Sequence, residues 1–203
     1  MMSMTKPGFR RGPPGDRSVP GGGDEDVVGR PFSQAQILDL MKNEFARARR
    51  YQFAVGCIVM HVNRLASLAD VHGSPMREGV RRELCRLVRE KTRSSDYLGT
   101  FGEDSYLIVL PHTDAERAEA VGQRILAGFG ALDVRADGTR ISLSLSLGVA
   151  ASEDQETLFF DTLVSQAEVA RQWATDRGGD QVAVFDKNRF LHDEDTPEDE
   201  PLG

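Results

Sequence analysis

A chain of 203 residues, 39% hydrophobic and 28% charged, has the apolar content for one ordinary domain. The formal charge of −7 is uneven: residues 1–32 sum to +1, residues 192–203 hold six acids and no Lys or Arg, and the near-neutral remainder excludes a broad basic field for nucleic acid. Two separated cysteines, no apolar run near the roughly 20 residues of a spanning helix and no signal-peptide core point to a cytoplasmic chain without a membrane partner.

Residues 1–32 are rich in Pro and Gly, carry few large apolar side chains and are expected to be disordered. Within them Gly22-Gly23-Asp24-Glu25 has no apolar strand on either side and reads as a chance tetrapeptide. Ser33 is placed to cap a helix to about residue 50, with Ile37, Leu40, Met41, Phe45 and Ala48 on one face. Residues 53–62 form a nearly continuous apolar run, the pattern of a central strand holding Cys57. A short helix over 65–71 leads through His72-Gly73-Ser74-Pro75 to a longer helix over 76–92, burying Val80, Leu84, Leu87 and Val88.

Two short apolar runs, 97–101 and 106–110, then flank Gly102-Glu103-Asp104-Ser105 and read as a β-hairpin. The second run is almost free of polar residues, as in a strand covered on both faces. Two carboxylates beside a glycine suit a metal or a phosphate, but taken alone the turn reads better as an ordinary acidic one. A third helix is expected over 114–132, a turn at Asp137-Gly138, a strand over 141–150, a last long helix over 158–175 and a last strand over 182–185. The order β-α-α-β-β-α-β-α-β implies an α/β sandwich with one five-stranded mixed sheet and helices on both sides, spanning 33–187. The acidic tail 188–203 is expected to be disordered and solvated.

With these elements in place, the chain resembles the GGDEF family of bacterial diguanylate cyclases, a nucleotidyl-cyclase-like sandwich. Phe101-Gly102-Glu103-Asp104-Ser105-Tyr106 stands where the family has Tyr-Gly-Gly-Asp-Glu-Phe. Leu145-Ser146-Leu147-Gly148-Val149-Ala150 is similar to its Ser-Ile-Gly-Val-Ala strand. Ala167-Glu168-Val169-Ala170, with Ala174 and Gly178, keeps the spacing of its Ala-Asp-x-Ala end. Glu44 with Arg47-Ala48 matches its approach to the first strand.

The resemblance implies a site for condensing two GTP molecules into cyclic di-GMP, with carboxylates holding metal ions and cations clamping the triphosphate. In this chain His61 replaces the family's metal-binding Asp, Ser105 replaces the second hairpin carboxylate, and Asp104 alone remains as an acid in register. Gly102 keeps the first signature glycine, whereas Glu103 stands at the second. Ala69 replaces the guanine-reading Asn, and Glu78 keeps an acid at the second guanine position. Ala66 replaces a Lys, while Thr175 and Gly179 replace a phosphate-binding Lys and Arg. Each departure removes a charge or a hydrogen-bonding group or adds bulk, so the expectation is an inactive homologue that is not an enzyme and needs no metal or cofactor.

A second site implied by the resemblance is retained. Many members bind cyclic di-GMP as a feedback inhibitor at Arg-x-x-Asp ahead of the signature, and Arg93-Ser94-Ser95-Asp96 lies at that distance from Gly102. Arg124 falls on a further family arginine, and Arg47 on one that some members present from a second subunit. Guanidinium groups can grip guanine or phosphate with paired hydrogen bonds, and a carboxylate can accept from guanine N1 and N2. The bland rival is a helix-end ion pair between Arg93 and Asp96. The expectation is a cyclic di-GMP-binding effector that signals to a protein partner, with a homodimer open. Its alternatives are a ligand-free interaction module and residual cyclase activity.

Overall fold

The capping chemistry at Ser33 sets the first helix. Ser33 Oγ accepts from the Gln36 amide at 3.4 Å and Gln36 Oε1 accepts from the Ser33 amide at 2.9 Å, a reciprocal capping box that starts α1 at Gln34–Tyr51. The computed structural model describes residues 30–136, 138–152 and 159–186. Of the disorder expected over residues 1–32, only 30–32 are described, and there Phe32 is paired with the strand at Gly99; the disorder expected over 188–203 and the helix start at 158 lie outside the described residues.

After α1 come β1 (Val55–Asn63), α2 (Leu65–His72), α3 (Ser74–Lys91), β2 (Tyr97–Thr100) and β3 (Ser105–Pro111). The chain continues through α4 (Ala115–Gly130), β4 (Arg135–Ala136), β5 (Thr139–Arg140), β6 (Ser144–Ser152), α5 (Phe160–Asp176) and β7 (Gln181–Val184). The five long strands lie in the order β2-β3-β1-β6-β7, antiparallel except for the parallel pair β6 and β7, so the sheet is mixed as the sequence implied. The small β4–β5 hairpin was not anticipated: the strand expected from residue 141 starts at Ser144, and the residues around Gly138 fold back on themselves instead.

Alternation along the strands divides the core in two. Ile58, Met60 and Val62 of β1, with Ile108, Leu110, Leu145 and Leu147, pack against α3 and α4. Cys57 and Val59, with Leu107 and Val109, pack against α1 and α5 on the opposite face. Each large side chain buried this way contributes about 1.5–3 kcal/mol. Both cysteines are buried free thiols, and burial pushes Cys57 up to about 12.

Two glycines allow close approaches that fix the layers. At Gly99 a Cβ would run into Ile37, so β2 lies directly under α1. At Gly148 a Cβ would run into the Ala167 carbonyl and the Arg171 amide, so α5 rests on the backbone of β6. Phe32 adds a short parallel bridge outside β2, donating to Leu98 O at 2.9 Å and accepting from Thr100 N at 2.8 Å. Among the described residues no helix is long and apolar enough to cross a membrane.

Candidate functional site

The β2–β3 turn is held from two directions. Phe101 N donates to Ser105 O at 2.9 Å to close it, and Val62 N donates to Asp104 O at 3.0 Å to tie it to the end of β1. Gly102 at φ 111° and Asp104 at φ 54° both adopt left-handed backbone, which turns the Asp104 side chain inward. Register places His61 opposite Ser105, and the His61 Nδ1 to Ser105 Oγ distance is 2.8 Å.

Asp104 is gripped by two arginines from α3. Arg77 donates to it through Nε at 2.9 Å and a terminal nitrogen at 2.6 Å, and Arg81 through Nε at 2.9 Å with its terminal nitrogen at 2.8 Å. Arg77 also holds Glu103. The Asp104 side chain is 2% exposed. Burial pushes its pKa up, but the hydrogen bonds and charges of Arg77 and Arg81 outweigh that and hold it below the usual carboxylate range. His61 is pushed down, first by burial and then by Arg171, against a smaller upward pull from Asp104 and Glu168.

This donor set does not fit the hard divalent cations the family implies. Both Asp104 oxygens are occupied by guanidinium groups, its strand neighbours are an imidazole and a hydroxyl, and the described residues contain no cluster of three metal-ligating side chains.

The other signature positions are spread around the tip. Ala69 sits in α2, and Glu78 is exposed on α3. Thr175 Oγ1 accepts from Arg171 at 3.0 Å and donates to Arg171 O at 3.1 Å. Gly179, at φ 77°, lies against Asn63 and Ser144. Thus Arg171 stands beside the Thr175 position, 8% exposed and ion-paired to Glu168 at 2.6 Å.

Arg77, Arg81 and Arg171 were missed by reading the family positions alone. The spacing of Arg77 and Arg81, four apart, was a legible sign that both share a face of α3. Arg171 was legible as a charge on the buried alanine stripe Ala167, Ala170, Ala174.

At the far end of α3, Asp96 Oδ2 accepts from the Arg93 amide at 2.7 Å, and Arg124 from α4 donates to Lys91 O at 3.2 Å. The structure therefore brings Arg93, Asp96 and Arg124 to one exposed corner, where α4 supplies a cation to the open C-terminus of α3. The contact between Arg93 and Asp96 is amide to carboxylate, and Arg93 shows no carboxylate partner among the described residues. Arg47 lies elsewhere, paired with Glu44 at 2.6 Å on α1 across the sheet.

Residues 26–181 match the family model described as diguanylate cyclase, GGDEF domain. Diguanylate cyclase DosC of Escherichia coli (strain K12) is 24% identical over 161 residues, covering 79% of this chain and 35% of the relative. This chain therefore spans about a third of the length of the first curated relatives it matches. Diguanylate cyclase SiaD of Pseudomonas aeruginosa, solved in complex with its activator SiaC, superposes with a TM-score of 0.69 at 24% identity, over 75% of this chain and 58% of that one. The GGDEF domain of DgcB from Caulobacter crescentus, solved in complex with cyclic di-GMP, gives a TM-score of 0.71 at 14% identity, over 78% and 94%. The expectation that the chain is not an enzyme is corrected by these matches. The family is that of diguanylate cyclases and its curated relatives carry that activity in their names, so a loss of cyclase chemistry does not follow from the substitutions around Asp104.

Proposed function

The chain belongs to the GGDEF domain family of diguanylate cyclases, and from that premise we propose that it works as a cyclic di-GMP-responsive signalling domain, holding the dinucleotide at Arg93, Asp96 and Arg124. The observation that carries this reading is the meeting of Arg124 with the end of α3 at Lys91 O, two residues before Arg93. Arg124 spends one N–H on that carbonyl and keeps donors for a phosphate or for the O6 and N7 edge of guanine. Asp96 keeps lone pairs beyond those used on its own turn, enough to accept from guanine N1 and N2. A cyclic dinucleotide offers two phosphates and two guanines, so the cations and the carboxylate each have a complementary group.

The bound state passes to a protein partner. SiaD, solved with its activator, supports a partner for this chain as well. Asp104, held by Arg77 and Arg81, fastens the β2–β3 turn to α3.

The test is isothermal titration of the full chain with cyclic di-GMP, beside Arg93→Ala, Asp96→Asn and Arg124→Ala. The expected result is binding by the wild type that weakens at least about tenfold in each variant, roughly one charge-assisted hydrogen bond apiece. No binding by the wild type, or equal binding by all four, overturns the proposal. The same preparation is incubated with GTP and Mg²⁺ and its products separated, because a chain that makes its own ligand would enter the titration already loaded.

A further inference from the structure

A pocket of about 720 Å³ opens between α3 and the β2–β3 turn, and its walls are strongly cationic. Arg81, Arg82, Arg86 and Arg89 line it from one side of α3, at successive spacings of one, four and three residues, and Arg30 lines it from the incoming chain. Against these five arginines the lining holds one carboxylate, Asp104. That carboxylate is saturated by Arg77 and Arg81, and Arg86 faces Glu83 and Glu90 on its own helix. Arg30, Arg82 and Arg89 have no carboxylate partner among the described residues. The remaining lining is more apolar, with Pro31, Cys85 and Tyr106. Of the signature positions, Gly102, Asp104 and Ser105 line this pocket, whereas His61, Ala69, Glu78, Thr175 and Gly179 do not.

The chain itself carries a complementary segment at the pocket mouth. Phe32 is fastened to β2 by two backbone hydrogen bonds, and Arg30 and Pro31 already form part of the wall. Asp24-Glu25-Asp26 lies four to six residues upstream of Arg30, followed by Val27-Val28. Four to six residues reach at most about 13–20 Å, enough to fold back across the pocket and too few to carry the acids far from it. We propose that the pocket is a docking site for an acidic peptide and that its occupant is this chain's own residues 24–28. The three carboxylates pair with Arg82, Arg86 and Arg89, and the valines cover Cys85 and Tyr106. A tether this short holds the acids at millimolar effective concentration, and the ion pairs act together with the burial of the two valines to keep the segment docked.

Cys85 gives the readout, being a pocket thiol 7% exposed, whereas Cys57 at 0% serves as the internal control. The full chain is alkylated with the neutral reagent N-ethylmaleimide, the modified cysteine is identified by mass spectrometry, and rates are normalised to the thiolate fraction from their pH profile. Asp24→Asn/Glu25→Gln/Asp26→Asn is expected to raise the Cys85 rate about tenfold over wild type at low salt. The gap should close near about 1 M salt, where screening acts over about 3 Å. Arg82→Gln/Arg89→Gln should raise the wild-type rate similarly and add nothing to the triple variant. Equal rates in wild type and triple variant overturn the proposal. So does protection lost instead on neutralising Asp193, Glu194, Asp195, Glu198, Asp199 and Glu200, which would make the C-terminal tail the occupant. Protection by inorganic pyrophosphate that is equal in wild type and triple variant would mark a vacant small-anion site and overturn it too.

Discussion

Asp104 takes at least four guanidinium contacts while almost wholly removed from solvent, so its removal strands charge rather than simply losing a bond. Asp104→Asn should destabilise the chain by about 2 kcal/mol in urea titration, below the range for a fully buried pair because Arg81 stays in reach of water. The neighbouring imidazole sets a pH dependence of definite sign. His61 titrates lower in the folded chain than its ordinary 6.5, so the unfolded chain binds the proton more readily. Its contribution is therefore complete above about pH 6.5 and falls as acid is added below that value. Asp104, held below the carboxylate range, adds a second loss further into acid, as pH falls through its folded value. Urea midpoints measured from pH 8 downward should show the first decline in wild type and a flattened one in His61→Asn. An unchanged slope would assign the decline to other groups.

Between elements, the tightest constraint is the seat of α5 on β6. Gly148→Ala places a methyl group against the Ala167 carbonyl and the Arg171 backbone, both fixed by the helix, so neither side can yield cheaply. The expected cost is about 3 kcal/mol, at the upper end for overpacking, read as a lowered urea midpoint with unchanged slope. This contact also shows how far the sequence could be read. The alternation Leu145, Leu147, Val149 marked β6 and its buried face, and the alanine stripe of α5 marked its mate, because strand and helix periods survive in any packed layer. The capping box at Ser33 is likewise a local signal, complete within four residues. The grip of Arg77 and Arg81 on Asp104 spans more than 20 positions and depends on the rotation of α3 about its axis, which no local pattern reports. The β4–β5 hairpin was missed because two-residue strands have no period to read.

Across the molecule, α3 carries a cluster of charged side chains at each end. Arg77 and Arg81 act near its start, and the corner of Arg93, Asp96 and Arg124 forms at its end. From Arg77 to Lys91 is 14 residues of helix, about 21 Å, beyond the range at which substitutions usually couple. A dinucleotide bound only at the corner stabilises the folded chain by about 2.7 kcal/mol at 100 times its dissociation constant, raising Tm by roughly 5–10 °C in a domain of this size. Arg124→Ala, exposed and off the core, should leave the ligand-free Tm nearly unchanged and abolish the rise. Asp104→Asn should do the reverse, lowering the ligand-free Tm and keeping the full rise. Scanning calorimetry of the three chains with and without cyclic di-GMP separates the two sites in one experiment. If Asp104→Asn abolishes the rise and Arg124→Ala keeps it, the dinucleotide sits at the hairpin, and the arginines there are its ligands rather than the fastening of a turn.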